Sequence, residues 1–387
     1  MRIFAFHLLN DYSGSPKVLM QLLKAWVRHD IPATVVTCSG RTGFLSDIPG
    51  VQYSYYWYRW AANPLLRLIN LTISQLLLFF SLLFTVKKDD ILYINTVLPF
   101  GAALLGKVRG CRVIYHIHET TIKPPILKRF LFAWVRWAAH DIVYVSDYLR
   151  TQEEIPGKNV HILYNAIENE FLEKAITRRS DKTAAYHVLM VCSLKAYKGV
   201  NEFVALAGLH PEKMFRLVVN AGQAEIDQYF KTTVLPRNLQ LYPTQTDLHP
   251  FYAWADVVLN LSRPDGWVET FGLTVIEGMA YGLPAIVPPV GGITELIEEG
   301  INGFQADSRQ LDQLSEKLSR LGVDRILYAS MRNKALHNIQ RYSEDVFEQC
   351  SLHILRGFSD GKKLHQMENI LKKPFDVSSK GIKTGLA

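Results

Sequence analysis

Short runs rich in β-branched and aromatic residues alternate with helical patterns along most of this chain, and few folds tolerate that order. IFAFHL near the start is followed by a helical stretch from Pro16 to His29, then by ATVVTC, ILYINT, RVIYHIH, DIVYVS and HILYN. Strands alternating with helices predict a parallel sheet wrapped by helices. A polar stretch, EKAITRRSDK from Glu173 to Lys182, interrupts the pattern, which restarts with HVLMVCS, FRLVVNA, LQLYP, DVVLNL and PAIVPP. The expected organisation is therefore two α/β domains, residues 1–172 and 187–341, joined by a linker over residues 173–186. A helix over residues 342–358, returning to the first domain, is expected next, followed by a basic, flexible tail over residues 359–387.

With 387 residues, 48% of them hydrophobic and only 20% charged, the chain has apolar surface for large cores, which excludes a single small module and global disorder. The net charge of +7 is unevenly spread: residues 51–140 carry 11 basic against 3 acidic residues. The excess is local and implies an anionic surface or partner on one half of the molecule. Cys38, Cys111, Cys192 and Cys350 stand singly with no CxxC, so neither zinc nor a disulfide framework is indicated and a reducing compartment fits. The opening MRIFAFHLLND reads as a first strand rather than a signal peptide, and the chain is expected in the cytoplasm.

Two apolar segments bear on membranes. Leu68 to Val86 is free of charge for 19 residues, close to the length that spans a bilayer. Asn70, Ser74, Ser81 and Thr85 share one helical face in it, which suits a helix packed on a sheet better than one in lipid. The second segment, ILKRFLFAWVRWAAH, sets Lys128, Arg129 and Arg136 on one face and Phe130, Trp134 and Trp137 roughly opposite, a pattern shared by helices at a bilayer surface and by helices with an aromatic face in the core. With the aromatic-basic run YSYYWYRW at Tyr53 to Trp60, it favours peripheral contact with an anionic membrane through the first domain.

The chemistry is concentrated in SRPDGWVETFGLTVIEGMAYGLP, Ser262 to Pro284. It follows a buried strand, passes a loop with Pro and Gly, and enters a helix near Gly272, so the N–H groups around Phe271, Gly272, Leu273 and Thr274 are helix-start donors suited to a phosphate. Glu269 precedes that helix; Glu277, about two turns inside it, can accept hydrogen bonds from polyol hydroxyls such as a ribose. Read from spacing alone, Glu269 complements a helix dipole and Glu277 is a solvated helix residue.

The E-x7-E pair within ETFGLTVIEGMAYGLPAIVPPVGGITELI resembles the signature of the family 4 retaining glycosyltransferases, with F-G after the first Glu, G-x-P ending the helix and G-G-x-x-E beyond it. SGSPKVL, HIHET, YVSDYLR, LYNAIENEF, SLKAYKGV, VVNAG and YAWADVVLNLS agree in order, and the resemblance runs over residues 1 to 350. It implies the GT-B fold, two Rossmann-like parallel-sheet domains facing a central cleft.

The resemblance also implies that Glu277 binds the ribose of a nucleotide-sugar donor, Glu269 the donor sugar, and Lys198 the diphosphate. His118, after RVIYHI, would face the donor sugar, and Gly14 in the first loop would let backbone approach the diphosphate. The base would meet the loop holding Pro243 and Thr244. The chain departs from the pattern at Ser193, where many relatives carry Arg, and Lys195 is expected to take over that phosphate contact. Ser15 replaces a second Gly, and Asn165-Ala166 stands where relatives carry N-G.

His116 and His118 lie at i and i+2 on a strand, a spacing a metal pair also has, but no third ligand is near; His116 reads as a core residue. There is no D-x-D, and no metal is expected. GAALLGKV at Gly101 has Val108 where a P-loop needs Ser or Thr and reads as a packing helix. The expected reaction moves a hexosyl unit, with retention, from a UDP- or GDP-linked sugar to a saccharide or lipid-linked saccharide in surface polysaccharide biosynthesis, with no other cofactor and no nucleic acid. A nucleotide-sugar epimerase of related fold and a non-catalytic saccharide-binding protein are the alternatives.

Overall fold

The computed structural model describes residues 1–357; the segment expected to form the tail, 359–387, lies outside them. The first sheet contains β1 (Ile3–Phe6), β2 (Ala33–Cys38), β3 (Gln52–Tyr56), β4 (Ile91–Asn95), β5 (Arg112–Ile117), β6 (Asp141–Tyr144) and β7 (Asn159–Ile162). The second contains β8 (His187–Ser193), β9 (Met214–Asn220), β10 (Leu239–Tyr242), β11 (Val257–Leu259), β12 (Ala285–Val287) and β13 (Gly303–Gln305). The orders are β3-β2-β1-β4-β5-β6-β7 and β10-β9-β8-β11-β12-β13, with every neighbouring pair parallel. Every residue of β1, β2 and β4 is buried, as expected when helices cover both faces of a parallel sheet.

Each sheet reverses its strand order once, between β1 and β4 and between β8 and β11. Loops leaving the carboxyl ends of strands on either side of such a reversal splay apart and leave a crevice for ligands. The segments after β1 and β5 in one domain and after β8 and β11 in the other, loops and the helices they enter, carry every candidate residue except Thr244, which follows β10.

The run at Tyr53 to Trp60 begins as an edge strand, β3, with Tyr56 buried and Tyr55, Trp57 and Trp60 exposed. Residues 173–178, expected in a linker, continue the helix Asn169–Arg178. Its Phe171 stacks on His249 of the second domain at 4.2 Å, and Lys174 pairs with Glu170 one turn back, so a polar composition is compatible with helix where a single face is covered. The helix Glu344–Arg356 runs back onto the first domain: Arg28 binds Glu344 and Glu348, Arg112 donates to the Leu355 carbonyl at 2.6 Å, and Phe347 and Ile354 join the core under β1 and β2. GAALLGKV forms part of the helix Phe100–Arg109, and a Cβ on Gly101 would come within 2.3 Å of the Gln75 carbonyl oxygen, so that glycine serves close helix packing.

The apolar segment forms a helix over Pro64–Leu82, capped by Asn63. Asn70 and Ser74 are buried on its inner face, whereas Ser81 and Thr85 are exposed. In the helix Pro125–Ala138 the core face is Leu131, Phe132, Val135 and Ala138; Phe130 and Trp137 are exposed, and Lys128 is drawn in to Glu153 at 2.5 Å. Neither three-residue face read from the sequence is the face the protein covers.

Candidate active site

In the second domain, β8 ends at Ser193 and a single 3-10 turn, Ala196–Lys198, follows. Gly199 closes the turn at φ +77°, where a Cβ would stand 2.1 Å from the Leu261 carbonyl oxygen. Only glycine allows the turn to press on the end of β11, and that approach carries Lys198 to the loop before the helix Leu273–Ala280. Lys198 Nζ lies 2.5 Å from Glu269 Oε1, and Ser262 Oγ donates to the same oxygen at 2.6 Å. The ammonium also sits 5.0 Å above the Trp267 ring, which stacks with Tyr197. Burial alone would raise the Glu269 carboxyl, but Lys198, Ser262 and Asn260 outweigh it and hold it below the usual carboxylate range, so it stays anionic.

Glu277 lies on the buried side of the helix Leu273–Ala280 and spends both oxygens on protein partners. Oε2 accepts from the Tyr252 hydroxyl at 2.8 Å, and Oε1 from Lys17 Nζ at 2.8 Å. Lys17 comes from the first domain, in the opening turns of the helix Gly14–Arg28. Burial lowers the Lys17 ammonium, and Glu277, with help from Glu168, raises it above its ordinary value. Each carboxylate of the E-x7-E pair is therefore matched with a lysine, one from its own domain and one from across the cleft.

His118 Nε2 lies 2.8 Å from Asn95 Oδ1, and Asn95 Nδ2 reaches the Ser15 carbonyl at 3.0 Å, tying the loops after β5, β4 and β1 together. The His118 ring is 4.2 Å from that of His116, whose Nδ1 meets the Tyr93 hydroxyl at 2.9 Å while its Nε2 is buried without a partner. Burial, with His116 and His7 adding to it, holds His118 well below the usual histidine range; the ring is neutral at pH 7 and its Nε2–H donates to Asn95 Oδ1. Thr96, next to Asn95, is a β-branched residue at φ +73°, a strained conformation of the kind concentrated at functional sites. Among the described residues, no group of three or more His, Cys, Asp or Glu side chains is arranged to hold a metal ion.

The remaining candidates sit as follows. Gly14 begins its helix opposite the start of Leu273–Ala280; a Cβ there would meet Leu273 Cδ1 at an ordinary 3.5 Å, so protein packing alone does not demand glycine. Gly272 is the N-cap at φ +140°, and Leu273 and Thr274 are the first helical residues. Phe271 turns its ring inward against Tyr164 and Tyr342, leaving only its backbone for a ligand. Lys195 is exposed immediately before the 3-10 turn, as its N-cap. Thr244 is exposed and donates to Asn220 Oδ1 at 3.2 Å and to the Ala221 carbonyl at 3.3 Å.

Sequence reading missed Lys17, Asn95, Ser262 and the clasp around Glu295. Lys17 had a signal: a lysine in the opening turns of a helix opposes the helix dipole, a local conflict that marks a site with another purpose. Glu295, in the G-G-x-x-E segment, accepts from Tyr148 N at 2.7 Å, Asp147 N at 3.1 Å and the Tyr164 hydroxyl at 2.9 Å, so the second domain caps a helix of the first. A Cβ on Gly292 would fall 2.0 Å from the Thr270 carbonyl oxygen and 2.5 Å from Ser146 Oγ of the facing domain. Gly292→Ala should therefore weaken the contact between the domains by about 1–3 kcal/mol and lower transfer activity roughly tenfold or more, with far-UV dichroism unchanged. Wild-type turnover in that variant would remove the clasp from the argument.

The histidines also set an acid limit. Burial lowers His7 to about 4 and His116 to about 3, so protonation favours the unfolded chain: their stabilisation is complete above the unfolded value of ~6.5 and is lost as pH falls toward 4. Burial pushes Glu119 up to about 7, which acts in the opposite sense, weakening the fold as pH rises from ~4.5 to 7. With His118 added, the histidines dominate. Urea unfolding should show a net loss of stability as pH falls from ~7 to ~4.5, smaller than the histidines alone would give because Glu119 offsets part of it; a stability that is flat or rises toward acid would contradict it.

Residues 12–171 match the family model described as Glycosyltransferase Family 4, and residues 173–338 the model described as Glycosyl transferases group 1. The N-acetyl-alpha-D-glucosaminyl L-malate synthase of Bacillus anthracis is 25% identical over 299 residues, 70% of this chain and 77% of that protein. Sucrose-phosphate synthase 4 of Arabidopsis thaliana is 38% identical over 120 residues, 30% of this chain but only 11% of that much longer protein. Among solved structures, HepE of Anabaena in complex with UDP and glucose superposes with a TM-score of 0.76 at 18% identity, covering 92% of this chain and all of that one. The sucrose-phosphate synthase of Thermosynechococcus elongatus gives 0.72 at 14% identity, covering 96% of this chain and all of that one. With one family model on each of two facing parallel-sheet domains, and solved relatives of the same architecture, the chain belongs to the family 4, group 1 glycosyltransferases of the GT-B fold.

Proposed function

We propose that this glycosyltransferase moves a hexosyl unit, with retention and without an obligatory metal, from a nucleotide diphosphate sugar to a saccharide or lipid-linked saccharide in surface polysaccharide biosynthesis. The observation that carries the reading is the matched pair of carboxylates: Glu269 with Lys198 and Glu277 with Lys17, both at the interdomain crevice. In this reading the helix start at Gly272, Leu273 and Thr274 and the cations of Lys198 and Lys195 take the diphosphate, whose negative charge grows as the glycosidic bond breaks. Glu277 takes the ribose hydroxyls in exchange for Lys17, and the loop of Thr244 takes the base. Glu269 and a neutral His118, oriented by Asn95, position the donor sugar.

UDP as the carrier is supported by HepE, whose solved complexes contain UDP and UDP-glucose. The acceptor meets the first domain, the half that carries the basic excess, at the cytoplasmic face of an anionic membrane. The test is thermal shift with UDP-, GDP- and ADP-linked sugars, each at about a hundredfold excess over its Kd. One donor should stabilise the fold by ~2–3 kcal/mol, and Glu277→Ala should abolish that shift. Absence of a shift with every donor would sink the reading, and isomerised sugar formed from donor alone would replace it with an epimerase.

A further inference from the structure

The helix Pro64–Leu82 wears its hydrophobicity on the outside. Its inner face is partly polar, with Asn70, Ser74 and Gln75 buried. Asn70 Nδ2 donates to the Arg59 carbonyl at 2.7 Å, and Gln75 Oε1 accepts from Gly101 N at 3.1 Å. Its outer face presents Leu66, Ile69, Ile73, Leu76 and Phe80, between 43% and 64% exposed, and Phe84 just beyond is 88% exposed. A soluble surface helix has the reverse arrangement, and a continuous exposed apolar face of this size marks a contact surface.

We infer that this helix lies in the plane of an anionic bilayer, its outer face sunk among the acyl chains and its inner face docked on the first domain. This deepens, and rests on, the reading that the first domain faces the membrane. Three observations choose lipid as the occupant. The apolar face continues sideways: Pro64–Leu82 packs on Phe100–Arg109, which packs on Pro125–Ala138 with its exposed Phe130 and Trp137. Trp60, half exposed at the entry to the helix, lies 4.8 Å under the Arg67 guanidinium, an aromatic-basic pair of the kind that settles at headgroup depth.

The charge around the face also has one sign. Arg59, Lys87, Lys88, Lys107, Arg129 and Arg136 are exposed in this region against the exposed carboxylate of Asp89, while Asp90 is buried in its pair with Arg2 and Glu119 is half-buried. A second copy of the chain docked on this face would bring like charges together, whereas anionic headgroups complement them. Spanning is disfavoured by the same contacts that make the helix amphipathic, because crossing the bilayer would strip Asn70 of the Arg59 carbonyl and Gln75 of the Gly101 N–H.

The test is flotation of the full chain with vesicles of phosphatidylcholine alone or mixed with phosphatidylglycerol. The protein should float with the mixed vesicles, and I69Q/I73Q/L76Q/F80Q should reduce the bound fraction about tenfold or more. R129E/R136E should instead reduce only the preference for phosphatidylglycerol. All substituted side chains lie away from the cleft, so the UDP-sugar thermal shift should be unchanged in both variants, which separates failure of this inference from failure of the donor assignment. Quenching of tryptophan fluorescence by brominated lipid in the unmodified chain is a check that needs no variant. The inference is overturned if the unmodified chain ignores both vesicle types, or if light scattering shows a dimer that the quadruple variant dissociates.

Discussion

Lys198→Ala is expected to lower kcat/KM for sugar transfer by about 10²–10³-fold, the usual loss when a preorganised charge is removed from a developing anion. The ammonium is held by Glu269 at 2.5 Å and by the Trp267 face at 5.0 Å, so under the proposed function it would need little reorganisation to meet charge developing on a leaving diphosphate. Removing it also deprives Glu269 of its cation in a site where burial already favours the protonated acid. The Lys198→Ala and Glu269→Gln losses should therefore be strongly non-additive, and the double variant scarcely worse than Lys198→Ala alone. Donor turnover and isothermal titration with the nucleotide diphosphate would measure both; activity within about threefold of wild type in Lys198→Ala would remove Lys198 from the mechanism.

Lys17→Met should be the most destabilising single change at the site, by about 3 kcal/mol in urea unfolding at neutral pH. It leaves the Glu277 carboxylate, in a side chain only 8% exposed, with the Tyr252 hydroxyl as its remaining hydrogen-bond donor. Adding Glu277→Gln to that variant should restore most of the stability, since an amide needs no counter-cation; Glu277→Gln alone should leave Lys17 stranded and be costly in turn. If Lys17→Met unfolds at the wild-type urea midpoint, the pair is not a structural tie between the domains.

Much of the architecture could be read from the chain. The runs IFAFHL, ATVVTC, RVIYHIH and HVLMVCS became strands because residues buried on both faces of a parallel sheet must be apolar throughout, a local property visible in any window. β13 escaped because three residues, GFQ, carry no period. The helix Asn169–Arg178 escaped because its polar composition resembles a linker, and only Phe171 stacking on His249 shows which side is covered.

The candidate site was legible as residue types and illegible as partnerships. Glu269, Glu277, Lys198 and His118 stand in recognisable contexts along the chain, yet Lys17 and Glu277 are 260 positions apart, and Asn95 and His118 are joined across two strands. Spacing along a chain specifies faces and periods, whereas an ion pair between two domains depends on how the loops at two strand-order reversals come to face each other. The same holds for the helix Pro64–Leu82. Its apolar composition was written in the sequence, but a helix this uniformly apolar does not record which side its neighbours cover, and docking through Gly101 and Gln75 is what turned the apolar side outward.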